Sequence, residues 1–433
     1  AVCLLYLHPN RWVSKPVRLF HFSLQKGDVI KSRNGYLLAI SSWYAAFGMQ
    51  SVLFAWLVTI VLRESAERVG FAQMSVLLPG LFLILIAGVL ADRVGQKRQA
   101  IWSQLFAAVL PLLLICALLF DALSYPVMIV YALLMGVAQA FLTPARDGLL
   151  NLVAGQNVQR MVMLTSLCQF GFQILGYTLA GFADTVGPIY ILSFQSVILL
   201  LGTWGFFKLG EIGRPVVVAK KDRETVLNGL WEGASTVLGN PVMRAVLVQN
   251  IAMGFFFMGS FIVAFPLAIR EVFAGSSADL AALNALNSLG LVLTILVLLR
   301  IGYVSRAGRA LILAQGIGSL VLMSAGFVSN QIVFTGLVFV WGICGGLAMP
   351  MSRTLLQQLA PPNQRGRVMS FYAFSFMGAG PFGALVNGYL SDLYGPQQAI
   401  IFSGLGMVTV LLVVTSFSPL WRNVIVADEV KAS

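Results

Sequence analysis

Hydrophobic positions in this chain gather into twelve long runs, without the one-face or alternating patterns of a water-soluble domain. The runs cover residues 36–62, 71–91, 100–120, 126–150, 161–183, 189–208, 242–269, 280–299, 310–328, 332–355, 368–390 and 399–419. Each is near the roughly 20 residues an α-helix needs to cross the hydrocarbon core of a bilayer. Charge is almost absent inside them. A helix that is apolar all round is stable only in lipid or deep inside protein. In lipid the backbone must satisfy its own hydrogen bonds, which for runs of this length leaves the helix. The pattern predicts an all-α membrane protein with twelve transmembrane helices.

One long polar stretch, 209–240, divides the runs six and six. The expected organisation is an N-terminal tail (1–34), a six-helix bundle (35–208), a cytoplasmic linker (209–240), a second six-helix bundle (241–420) and a C-terminal tail (421–433). Within the linker, Val226, Leu227, Leu230, Trp231, Val237 and Leu238 recur at helical spacing. They describe either an amphipathic helix on the inner membrane surface or a plain tether.

The two halves repeat one another. Gly136, Pro144 and Arg146 return as Gly342, Pro350 and Arg353; Gly176, Gly181, Asp184 and Gly187 return as Gly383, Gly388, Asp392 and Gly395. Register kept over several helices points to duplication and to two pseudo-symmetric bundles with a ligand site between them. The glycines let neighbouring helices approach closely, the main source of packing energy in lipid.

Charge settles orientation more than partners. The formal net charge is +12, yet the cations cluster. They precede the first run (Arg11, Lys15, Arg18, Lys26, Lys31, Arg33), follow the second (Arg93, Lys97, Arg98) and fill the middle loop (Lys208, Arg214, Lys220, Lys221, Arg223). Others follow the eighth, tenth and twelfth runs, while the alternate loops hold only Arg63, Arg68 and Arg270. That is the positive-inside asymmetry. It places both termini in the cytoplasm of a multi-pass protein and makes the basic balance a topology signal, with no nucleic-acid partner. The apolar run 1–7 is too short for the core of a signal peptide, so the first span is expected to direct insertion.

Catalytic chemistry is missing from the pattern. Four cysteines stand far apart, and the two histidines, His8 and His21, precede the first run. No metal-ligand spacing, phosphate loop or nucleophile–base set is present. No cofactor, no metal and no enzymatic activity are expected.

After the second run stands Gly88-Val89-Leu90-Ala91-Asp92-Arg93-Val94-Gly95-Gln96-Lys97-Arg98. It resembles the loop signature of the major facilitator superfamily, departing mainly at Gln96. A degraded copy, Gly302 to Arg309 with Ser305 at the aspartate position, follows the eighth run. The resemblance implies the superfamily fold and a conformational latch of Gly88, Asp92, Arg93, Gly95, Lys97, Arg98 and Arg146. That latch would hold the halves together on the cytoplasmic side; the plainer reading is a solvated loop with topology-setting cations. Ala55-Trp56-Leu57-Val58, Pro144-Ala145-Arg146 and above all 359–370, with Arg365-Gly366-Arg367-Val368, are similar to a subgroup holding enterobactin-type siderophore exporters and macrolide efflux proteins.

In that family the first, fourth, seventh and tenth helices line the cavity, flanked by the second, fifth, eighth and eleventh. The implied candidates are Trp43, Tyr44, Gln50, Tyr131, Gln139, Gln169 and Gln173, then Asn250, Phe256, Asn284, Asn287, Trp341, Tyr372 and Phe374. Each amide either faces substrate or bonds a neighbouring helix, since an unpartnered amide in lipid is costly. All sixteen acidic residues avoid mid-span. Asp147, beside Arg146, is the deepest and Glu64 next. Either serves as a proton carrier, or Asp147 pairs with Arg146 or Arg353 as structural glue.

The expected function is a secondary exporter in the bacterial inner membrane, working as a monomer. It moves amphipathic small molecules of siderophore or macrolide type by alternating access, coupled to protons. The alternatives are uptake or lysophospholipid flipping by the same fold, or a non-transporting sensor derived from it.

Overall fold

In the computed structural model, the described residues are 26–154, 158–210, 234–301, 304, 306–361 and 365–421. The tails beyond them, and positions 226, 227, 230 and 231 of the expected linker helix, lie outside that set.

Twelve long helices are present among the described residues. In the first half they are α1 (Lys26–Trp56, continued by a π turn Leu57–Val61), α2 (Ala66–Val94), α3 (Gln96–Leu119), α4 (Tyr125–Ala154), α5 (Val158–Ala180) and α6 (Pro188–Phe207). The second half has α7 (Pro241–Glu271), α8 (Ser277–Ile301), α9 (Ala307–Ala325), α10 (Gln331–Leu359), α11 (Arg365–Tyr394) and α12 (Pro396–Phe417). Helix starts follow from local sequence. Asn240 and Asn330 each accept two backbone N–H groups of the turn that follows, and Pro188, Pro241 and Pro396 occupy first positions, where their missing N–H is no loss.

Ten of the twelve have a window of described residues with the length and hydropathy of a membrane span. α5 and α11 are rich in hydroxyls and glycine, and each is sheltered between two other helices: α5 by α1 and α8, α11 by α2 and α7.

The packing reproduces the sequence repeat. In the first half α1 packs on α5 and α6, α2 on α4, and α3 on α4 and α6. Six helices on, α7 packs on α11 and α12, α8 on α10, and α9 on α10 and α12. Glycines permit the closest of these approaches. A Cβ at Gly176 would collide with the Ala45 backbone of α1, and one at its repeat mate Gly383 with the Phe255 backbone of α7.

Two seams join the halves, α2 against α11 and α5 against α8, and each is the image of the other under the repeat. The face bearing the start of α1 and the α2–α3 turn is here called the tail face, the opposite one the far face. Both seams are tightest near the far face. A Cβ at Gly70 would lie 2.8 Å from the Gly388 Cα, and one at Gly181 would lie 2.8 Å from the Ala281 Cβ. Toward the tail face a Cβ at Gly88 would meet nothing within 4 Å, and α4 and α10 are not among the closely packed helix pairs of the described residues.

Candidate functional site

Between the halves lies a cavity of about 410 Å³, within the size range of small-molecule sites. Its first-half wall comes from α1, α2, α4 and α5 and its second-half wall from α7 to α11. No carboxylate, guanidinium, ammonium or imidazole group is among the described lining residues.

The walls differ in kind. The first half supplies four glutamines: Gln50, Gln73, Gln139 and Gln173. Gln50 is fixed from behind. Its side-chain oxygen accepts the Tyr131 hydroxyl and, at 3.2 Å, the Gln195 amide. Gln173 donates to the Tyr177 hydroxyl. The second half supplies rings and thioethers, among them Phe257, Phe261, Trp341, Met253, Met258 and Met377, together with Asn284, Asn287 and Gln315. Asn284 and Asn287 each donate one amide N–H, to the Leu280 and Val338 carbonyls at 2.8 and 3.3 Å. Trp341 is the hub of the aromatic wall, with the centroids of Phe257, Phe261 and Phe265 at 5.5, 5.7 and 5.6 Å.

Of the candidates read from sequence, Gln50, Gln139, Gln173, Asn284, Asn287 and Trp341 meet at this cavity. The others sit elsewhere. Trp43 borders a recess of about 20 Å³ beside it. Tyr131 is fully buried behind Gln50. Tyr44 lies under the Arg146 guanidinium, 5.1 Å from ring centroid to carbon. Asn250 bonds the Tyr372 carbonyl and the Ser375 hydroxyl at 2.9 and 2.6 Å, tying α7 to α11. Phe256 packs on Phe255 and against Gly406 of α12. Tyr372 reaches Ser352 and the Met349 carbonyl on α10. Phe374 is exposed, and Gln169 is half-buried outside the lining.

Sequence reasoning missed Gln73, Gln315 and the pair Phe257 and Phe261. Gln73 stands near the end of its run and Gln315 on a helix outside the family's cavity set. The phenylalanines lie on α7, which runs in π geometry over Met253–Met258 and Ser260–Ala264. Phe257 and Phe261 line the cavity, while their neighbour Phe256 packs against α12. Such π segments are frequent at functional positions.

The far face closes the cavity with hydrogen bonds between the halves. Asp184, after α5, accepts the Ser277 backbone N–H of α8 at 2.6 Å through one oxygen and the Trp56 indole N–H at 3.0 Å through the other. The Ser277 hydroxyl donates to the Gly181 carbonyl at 3.0 Å. Arg270, at the end of α7, donates to the Thr59 and Glu64 carbonyls at 3.1 and 2.6 Å, capping the orphan carbonyls at the end of α1 with a cation.

Among the described residues, latch candidates on the tail face bond within the first half and to the turn after α6. Gly95 has φ +97°, a conformation that glycine adopts at little cost, and ends α2 directly before α3. Lys97 donates to the Leu209 carbonyl after α6, and Arg93 and Arg98 are exposed. The Asp92 side chain lies outside the described set. Arg146 pairs with Asp147 at 3.3 Å, with Asp147 65% exposed, so this carboxylate faces solvent and not the cavity. Glu64 pairs with Arg68 at 2.9 Å on the far face.

A sequence model of the Major Facilitator Superfamily matches residues 35–384. The multidrug efflux pump Tap of Mycolicibacterium fortuitum is 27% identical over 401 residues, 89% of this chain and 95% of that protein. The staphyloferrin A transporter of Staphylococcus aureus is 22% identical over 390 residues, 88% of this chain and 93% of that protein. In fold, the chain is similar to the xylose transporter XylE of E. coli in its inward open conformation, with a TM-score of 0.66 at 14% identity over 90% of this chain and 96% of that one.

Proposed function

The chain belongs to the Major Facilitator Superfamily, and on that premise we propose that it exports amphipathic small molecules from the bacterial cytoplasm by alternating access. It is a membrane transporter whose relatives include the multidrug efflux pump Tap. The observation that carries the reading is the cavity shared by both halves, hydrogen-bonded shut at the far face with the halves unpacked toward the tail face. A single chain completes the cavity, which fits a functional monomer.

The cations assign the faces. Arg93, Lys97, Arg98, Lys208, Arg300, Arg306 and Arg309 stand toward the tail face, against Arg63, Arg68 and Arg270 at the far one. Under the positive-inside rule the tail face is cytoplasmic, and the conformation described is inward-facing. In this state a latch on the cytoplasmic side is released.

Proton antiport is the proposed coupling. The described cavity lining offers it no carboxylate, so the proposed proton sites are carboxylates outside that lining. Inside-out vesicles test the whole reading: a proton gradient is expected to drive uptake of a fluorescent amphipath into their lumen, abolished by a protonophore. Gradient-driven movement in the opposite direction would assign uptake instead. Absence of flux for every compound tried would leave a non-transporting sensor.

A further inference from the structure

Resting on the exporter reading, we propose that the central cavity selects ligands without net charge that carry a planar conjugated system. The plane lies against the Trp341 wall and a hydrogen-bonding edge turns to the glutamines of the first half. Two observations carry this. First, the described lining holds no ionised side chain. An ion entering it leaves water and finds no opposite charge, a cost that neutral amides do not offset. Cation–π attraction on a desolvated ring is weaker than the cost of burying an unpaired ion, and Phe257 and Phe265 already pack on Trp341 at interplanar angles of 73° and 65°. Second, the free amides are on one side. Among the described residues Gln73 and Gln139 line the first-half wall without a side-chain hydrogen bond, whereas Asn284, Asn287 and Gln315 of the second half each bond a neighbour. Phe47, Phe54 and Tyr177 line the first half as well, so a flat ligand can lie between rings while its polar edge meets the free glutamines.

Nile red and Nile blue make the test. They share one fused-ring plane, but Nile red is an uncharged ketone and Nile blue a cation. Binding to the purified full-length protein in nanodiscs is read by fluorescence anisotropy against empty discs. Nile red is expected to bind at least about tenfold tighter than Nile blue. Trp341→Ala is expected to weaken Nile red by about tenfold, and Trp341→Phe to restore most of the loss, on the scale of one aromatic contact. Gln139→Glu, which breaks no bond seen in the structure, is expected to raise Nile blue affinity by about tenfold. Equal or tighter binding of Nile blue to the unaltered protein, or Nile red binding indifferent to Trp341→Ala, overturns the proposal. Efflux of Nile blue with Nile red excluded sinks it while leaving the exporter reading intact. The expected binding pattern without gradient-driven flux of either dye does the reverse.

Discussion

Asp184 and Ser277, 93 positions apart in sequence, face each other across the α5–α8 seam and exchange two hydrogen bonds. The Ser277 N–H reaches one carboxylate oxygen at 2.6 Å, and the Asp184 N–H reaches the Ser277 hydroxyl at 3.2 Å. The carboxylate also sits at the N-terminus of α8, where the helix dipole favours negative charge. Asp184→Ala removes the anchor of both Ser277 and Trp56. The group is exposed, so about 1 kcal/mol is a fitting scale, or about a fivefold shift toward far-face opening. A cysteine replacing Ser51, which lines the cavity, is expected to react about fivefold faster with an impermeant maleimide applied from the far face. An unchanged rate removes Asp184 from the closure.

Arg270 closes the same face by a different chemistry, and the two contributions separate by substitution. Arg270→Lys keeps the charge but loses the fork that spans the Thr59 and Glu64 carbonyls. We expect faster far-face labelling in Arg270→Lys and faster still in Arg270→Ala. Equal rates in the two variants would make charge irrelevant to the cap.

Close helix approach yields a stability series. Gly176→Val and Gly383→Val place a branched side chain against the neighbouring helix backbone, and overpacking of this kind costs about 1–3 kcal/mol. Both are expected to lower the melting temperature of the purified protein. Gly336→Ala and Gly171→Ala, where a Cβ meets nothing within 4 Å, serve as controls and should be neutral or stabilising. Controls as damaging as the seam variants would defeat the packing account.

Behind the cavity, Tyr131 holds Gln50 through its hydroxyl. Side-chain hydrogen bonds between membrane helices average about 0.6 kcal/mol, so Tyr131→Phe should fold normally and lose little stability. Its effect belongs in ligand affinity, since Gln50 then keeps only the Gln195 contact on its oxygen. A variant that loses thermal stability without any change in ligand affinity would make this bond purely structural.

Asp147 is the deepest carboxylate of the sequence pattern, yet it lies 65% exposed beside Arg146. Asp147→Asn is expected to leave gradient-driven efflux largely intact. Abolished gradient-driven flux with intact downhill exchange would make Asp147 the coupling group.

Helix number and the pairing of the halves were legible because hydrophobic run length and glycine spacing report local and nearest-neighbour packing. Gly176 and Gly383 were readable as mates from sequence, and the structure puts both to the same use. Cavity membership was less legible. On α7 the cavity takes Phe257 and Phe261 and not Phe256, adjacent aromatics that depth along the run does not tell apart. Asn250 looked like a cavity amide and serves as a tie between α7 and α11, because amides of either role occupy the same depth. The far-face closure was hidden altogether: Asp184 was visible as part of the repeat, but its partner Ser277 is an unremarkable serine at a helix start.

The two seams are images of each other in topology but not in bonding. Asp184 is bonded across the α5–α8 seam, while its mate Asp392 has no such bond among the described residues, leaving the α2–α11 seam to apolar packing that is closest where Gly70 meets Gly388. Far-side opening would therefore be lopsided, like a cover lifting along one edge while it pivots on a glycine spine. Cargo would depart past Trp56 and Ser277, and bulk added at those two positions would cap the size of what escapes.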